Sequence, residues 1–104
     1  MVIEPVLKEF RVGLEKLYGQ RLIDMLLYGS WARNEATEDS DIDLAVILKG
    51  KVSKGGEIDR MIDLITELNL KFNVLLSVYP VSQNDYKKLT TPLLINMRKE
   101  GIHA

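Results

Sequence analysis

An α/β sandwich built on a small mixed sheet is predicted by three observations. Segments with apolar residues at three-to-four spacing alternate along the chain with short runs rich in Leu, Ile and Val. Glycine, proline or a capping hydroxyl stands at most of the junctions between them. The 104 residues make a single domain (residues 1–104) of ordinary size, large enough to bury about 60% of its unfolded surface. The order read from these signals is α-β-α-β-α-β-α-α, with a three-stranded mixed sheet open to extension by a further strand.

Pro5 suits the first turn of a helix, and Val6, Phe10, Leu14 and Leu17 continue it as one apolar stripe until Gly19. Residues 22–28, Leu-Ile-Asp-Met-Leu-Leu-Tyr, read as a buried strand stopped by Gly29, with Tyr28 in the core. Asp24 is its polar exception, expected at an edge or paired locally. Ser30 is placed to cap a short helix through Arg33 or Asn34. Residues 35–40 form a polar loop, and residues 41–48 a second strand.

Residues 49–56, Lys-Gly-Lys-Val-Ser-Lys-Gly-Gly, form a flexible basic loop: by default a solvated connection, in a sharper reading a gate offering positive charge to an anionic ligand. Ile58, Met61, Ile62, Ile65 and Leu68 mark an amphipathic helix ending near Asn69, with Glu57, Asp59 and Asp63 toward solvent. Residues 72–79 give a third strand closed by Pro80. Ser82 caps a short helix through Leu89, and Thr91-Pro92 opens a last one that stops at Gly101, leaving His103 and Ala104 as a tail.

Composition narrows the chemistry. Without cysteine there are no disulfides, thiolate metal sites or cysteine nucleophiles, which suits a reducing cytoplasm. The one histidine, His103, is next to last, too peripheral for acid–base work in a formed pocket. A net charge of −1 argues against strong nucleic-acid binding through phosphate contacts. The start Met-Val-Ile-Glu-Pro lacks a signal-peptide pattern, and no apolar run approaches the length of a membrane span. The expected location is cytoplasmic.

The most informative segment is Gly29-Ser30-Trp31-Ala32-Arg33, followed after a polar stretch by Ser40-Asp41-Ile42-Asp43-Leu44. On a strand, the period of two sends Asp41 and Asp43 to one side and Ile42 into the core. Two carboxylates so placed form a partial oxygen cage for Mg²⁺ and leave positions free for a triphosphate. Gly29 lets backbone approach a phosphate, and the amides that follow it at Ser30 and Trp31 favour an anion, as does the Ser30 hydroxyl. Trp31 is expected to pack against the sheet edge or a partner.

These residues resemble the nucleotidyltransferase superfamily typified by DNA polymerase β, and within it the minimal nucleotidyltransferases of MNT/HEPN antitoxin type. The resemblance implies the compact α/β nucleotidyltransferase fold over the whole chain. It implies that Asp41 and Asp43 are catalytic and bind metal, up to two Mg²⁺ ions about 3.5–4 Å apart. Gly29 and Ser30 would bind the phosphates of ATP or another NTP; Arg33 would reach phosphate or pair with Asp39 or Asp41. The implied reaction moves AMP to a hydroxyl acceptor, with a tyrosine on a small helical HEPN-type toxin as the implied target. Self-association into a homo-oligomer is compatible with the sequence.

The chain departs from the family pattern in one place. Active members usually carry a third carboxylate on the next strand, where residues 72–79 hold no acid; the equivalent position falls on Asn73, Leu75 or Ser77. The second metal site is thus incomplete. The alternative reading is a weakly active or inactive nucleotide-binding antitoxin that neutralises a HEPN ribonuclease by docking.

Overall fold

The apolar runs do form strands and the periodic segments helices, in an α/β arrangement with one mixed sheet. The computed structural model describes residues 2–104. Helix α1 (Glu4–Tyr18) and a 3-10 turn (Gly19–Arg21) lead into β1 (Leu22–Tyr28). Then come β2 (Ile42–Leu48), α2 (Lys54–Phe72), β3 (Leu76–Ser82), α3 (Gln83–Lys88), α4 (Pro92–Glu100) and β4 (Ile102–His103). The spatial order is β3-β2-β1-β4. Strand β1 runs antiparallel to β2 and β4, and β2 runs parallel to β3.

Strand alternation divides the core. Met25, Leu27, Ile42, Leu44, Val46, Leu48 and Leu76 join Phe10 and Leu14 of α1 and Met61 and Leu68 of α2 in one cluster. On the other face, Leu26, Ala45, Ile47 and Val81 meet Leu94 and Met97 of α4. Helices α3 and α4 cover this face only in part, so Ser77 is exposed and Asp43 half-buried.

Several boundaries differ from the sequence expectation, each for a local reason. In α1 the buried series is Val6, Phe10, Leu14 and Tyr18, a strict spacing of four, which turns Leu17 out to 47% exposure. The Ser53 side chain caps α2 by accepting from Gly56 N–H at 3.4 Å, so Gly55 and Gly56 belong to its first turn and not to the loop. The helix passes Asn69 and ends at Asn73, which takes the left-handed conformation (φ 52°). Strand β3 therefore starts later than expected, at Leu76, and runs through Pro80; it is an edge strand, where a missing N–H is tolerated. The expected tail is a fourth strand: Ile102 and His103 pair with Leu27 and Leu26, and His103 Nδ1 meets the Asp24 carboxylate across that seam. Residues 29–34 are turns and not a short helix, and β2 starts at Ile42, one residue past Asp41.

Glu57 does not face solvent. It is 5% exposed, accepts a hydrogen bond from the Tyr18 hydroxyl at 2.9 Å and lies 3.6 Å from Arg21. Burial, and then Glu57, push the Tyr18 hydroxyl up to about 12. Tyr18→Phe leaves the buried carboxylate short of a donor, and the expected cost is about 1–2 kcal/mol in urea denaturation. Among the described residues, no helix is long and apolar enough to cross a membrane.

Candidate active site

The site begins where β1 stops. Gly29 has φ 74°, a conformation that side chains rarely adopt, and it turns the chain out of the sheet. Arg33 N–H donates to Gly29 O at 3.1 Å and Glu35 N–H to Ser30 O at 2.9 Å, winding residues 29–35 into consecutive turns. Among the described residues, the amides of Ser30, Trp31 and Ala32 have no protein acceptor. Such a row of free N–H groups suits an anion.

Sheet register then brings the acids to the bend. Asp43 pairs with Tyr28, the residue before Gly29, on one side and with Ser77 on the other. Contact is so close that a Cβ on Gly29 would run into Asp43 Oδ2. The Asp43 carboxyl is pushed above its ordinary range by desolvation first and by the charge of Asp41 second; Arg33 and the Ser77 hydroxyl offset part of this. Asp41 is exposed at the mouth of the strand. Neither aspartate has an ion-pair partner among the described residues.

Two unpaired, mutually repelling carboxylates beside free backbone donors fit a hard divalent cation carrying phosphates. Among the described residues, no group of three or more His, Asp or Glu side chains is arranged to hold a metal ion. Ser77 occupies the register position opposite Asp43. Asn73 is instead the cap of α2, and Leu75 is 56% exposed.

Two residues shape the bend: Trp31, expected from the sequence to pack, and Glu100, which sequence reasoning missed. Trp31 packs partly on the core and its indole N–H donates to Ser40 O at 3.3 Å, tying the bend to the residue before Asp41. Glu100, at the end of α4, accepts from Gly29 N–H at 3.1 Å and pairs with Arg33 at 3.1 Å. Arg33 also meets Glu35 at 3.3 Å, so it pairs with neither Asp39 nor Asp41, because the turns aim it at α4. The indole bond to Ser40 was not legible in the sequence, and nothing local marks Glu100.

One other expectation is corrected, and one of two alternatives is excluded. Tyr28 is half-buried beside Asp43, and burial with that charge pushes its hydroxyl up to about 12. The basic connection after β2 lies at the opposite end of the sheet from the bend. There Arg21 clamps Lys49 O and Lys51 O at 3.1 and 3.0 Å, and Lys54 sits 4.2 Å above the Tyr79 ring. It cannot gate a ligand held at Gly29.

Residues 7–100 match the family model described as "Nucleotidyltransferase domain". The chain belongs to the nucleotidyltransferase family. It is 35% identical over 99 residues to "Putative protein adenylyltransferase MJ0604" of Methanocaldococcus jannaschii, covering 94% of this chain and 93% of that protein. A second protein of that organism, "Putative protein adenylyltransferase MJ0141", is 29% identical over 77 residues, covering 74% and 77%. Among solved structures, a mutant of the toxin–antitoxin MntA-HpeT aligns with a TM-score of 0.65 at 14% identity, covering 99% of this chain and 72% of that one. A toxin–antitoxin with AMP-PNP aligns at 0.64 and 17% identity, covering 92% and 70%. At such identities these two establish the nucleotidyltransferase fold, with its mixed sheet and helices on both faces.

Proposed function

We propose that this nucleotidyltransferase moves AMP from ATP to a hydroxyl on a partner protein, with a tyrosine of a small helical HEPN-type toxin as the acceptor. The observation that carries the reading is the contact between the Gly29 bend and the Asp43 carboxylate, with Asp41 alongside. The free amides of Ser30, Trp31 and Ala32, with the Ser30 hydroxyl, would hold the phosphates, and Arg33 lies within the same turn. Asp41 and Asp43 would hold Mg²⁺, which neutralises phosphate charge when bound. The acceptor oxygen bonds to the α-phosphorus, the bond to the β-phosphate bridge breaks, pyrophosphate leaves and the hydroxyl proton passes to solvent. The curated relatives named as protein adenylyltransferases support a protein acceptor, and the toxin–antitoxin neighbours support a toxin as that protein.

A second reading, neutralisation by docking alone, is favoured by one observation: Ser77 stands opposite Asp43 and brings no negative charge. One experiment separates the two. The protein is incubated with Mg²⁺, labelled ATP and the product of the adjoining gene. Label on that product, lost in Asp41→Asn, supports transfer. Tight binding without label, indifferent to that substitution, supports docking.

A further inference from the structure

We propose that Glu100 is a built-in competitor of the nucleotide, holding two donors of the bend, Gly29 N–H and Arg33, until phosphate displaces it. This rests on the reading of the bend as a phosphate cradle. Glu100 Oε1 accepts from Gly29 N–H at 3.1 Å, and Arg33 Nη1 reaches both its oxygens, at 3.1 and 3.3 Å. The contact spans 71 residues of sequence and brings the last residue of α4 onto the bend. The side chain is only 22% exposed, so the carboxylate is seated there and not merely passing through solvent.

Its position is otherwise unfavourable. A negative charge at a helix C-terminus opposes the helix dipole, where a cation would be favoured. The same carboxylate adds to the negative charge around Asp43. Gly29 N–H and Arg33 are the groups that offset both costs, and both are donors that a phosphate can use with charge-assisted bonds. While Glu100 is seated, an incoming triphosphate finds these two donors occupied and meets an added negative charge beside the free amides. The binding-competent fraction is reduced accordingly, and apparent affinity falls with it.

Glu100→Gln tests this, because the amide oxygen can still accept from Gly29 while the charge and the two-oxygen grip on Arg33 are lost. Calorimetry with Mg²⁺ and AMP-PNP is expected to give a dissociation constant about tenfold lower for Glu100→Gln than for wild type. In wild type, the same ligand is expected to speed amide hydrogen exchange at residues 98–104, as the end of α4 is released. If wild type binds and Glu100→Gln binds equally or more weakly, Glu100 is a brace and the proposal is overturned while the cradle stands. Unchanged or slower exchange at residues 98–104 overturns it too, even if the variant does not fold. Failure of both proteins to bind AMP-PNP removes cradle and competitor together.

Discussion

Asp43→Asn is expected to lower nucleotidyl transfer by about 100-fold or more and, at the same time, to stabilise the metal-free protein. The first effect follows from removing one of the two carboxylates that would hold the Mg²⁺ neutralising the triphosphate in the proposed site, where preorganised charge does most of the work. The second follows from the surroundings of Asp43, which is desolvated and lies against the charge of Asp41. Its carboxyl titrates higher in the folded chain than in the unfolded one. Ionised Asp43 therefore opposes folding above its raised pKa, and that opposition fades as the pH falls through the raised value toward the ordinary carboxylate range. Melting in EDTA at neutral pH should show the Asn variant a few degrees above wild type. Acidification should narrow the gap, and saturating Mg²⁺ with AMP-PNP should reverse it, since only wild type gains the full linkage. Undiminished transfer in the variant would contradict the proposed role of Asp43.

Gly29→Ala is the second large effect. The backbone at φ 74° is strained for any residue with a Cβ, and here that Cβ would meet the Asp43 carboxylate. Either the bend opens or Asp43 turns away, and both separate the phosphate donors from the acids. The expected result is a loss of about 1–3 kcal/mol in urea denaturation, together with transfer below about 1% of wild type. Gly50 has φ 87° with open space around the position of its Cβ, so Gly50→Ala carries the backbone penalty alone. Its transfer rate reports how much of the Gly29 effect is steric at the site. Equal transfer by the two variants would place the Gly29 effect in the backbone and not in contact with Asp43.

Much of the fold was legible because its signals are local. The first two strands read as apolar runs ended by a turn residue, and β1 was placed with its observed limits. The two long helices were visible as apolar stripes, though the side on which a stripe ends depends on what packs there, as Leu17 and Tyr18 show. Signals in conflict misled: the Gly55-Gly56 pair reads as loop until the Ser53 cap is known to hold it in a helix. Pro80 reads as a stop until β3 is known to be an edge. Glu57 reads as solvated because its partners, Tyr18 and Arg21, come from another part of the chain.

The candidate site divides along the same line. The chain alone determined that a glycine–serine bend and an Asp-x-Asp pair exist and that no acid lies in residues 72–79, since these are facts of order and spacing. Tertiary structure alone decided that Asp43 touches the bend, that Ser77 faces it and that Glu100 closes on Gly29 and Arg33. Spacing along a strand sets only which face a side chain takes. What it meets on that face depends on strand register and on a helix that returns from the far end of the sequence, and both are settled by packing of the whole core.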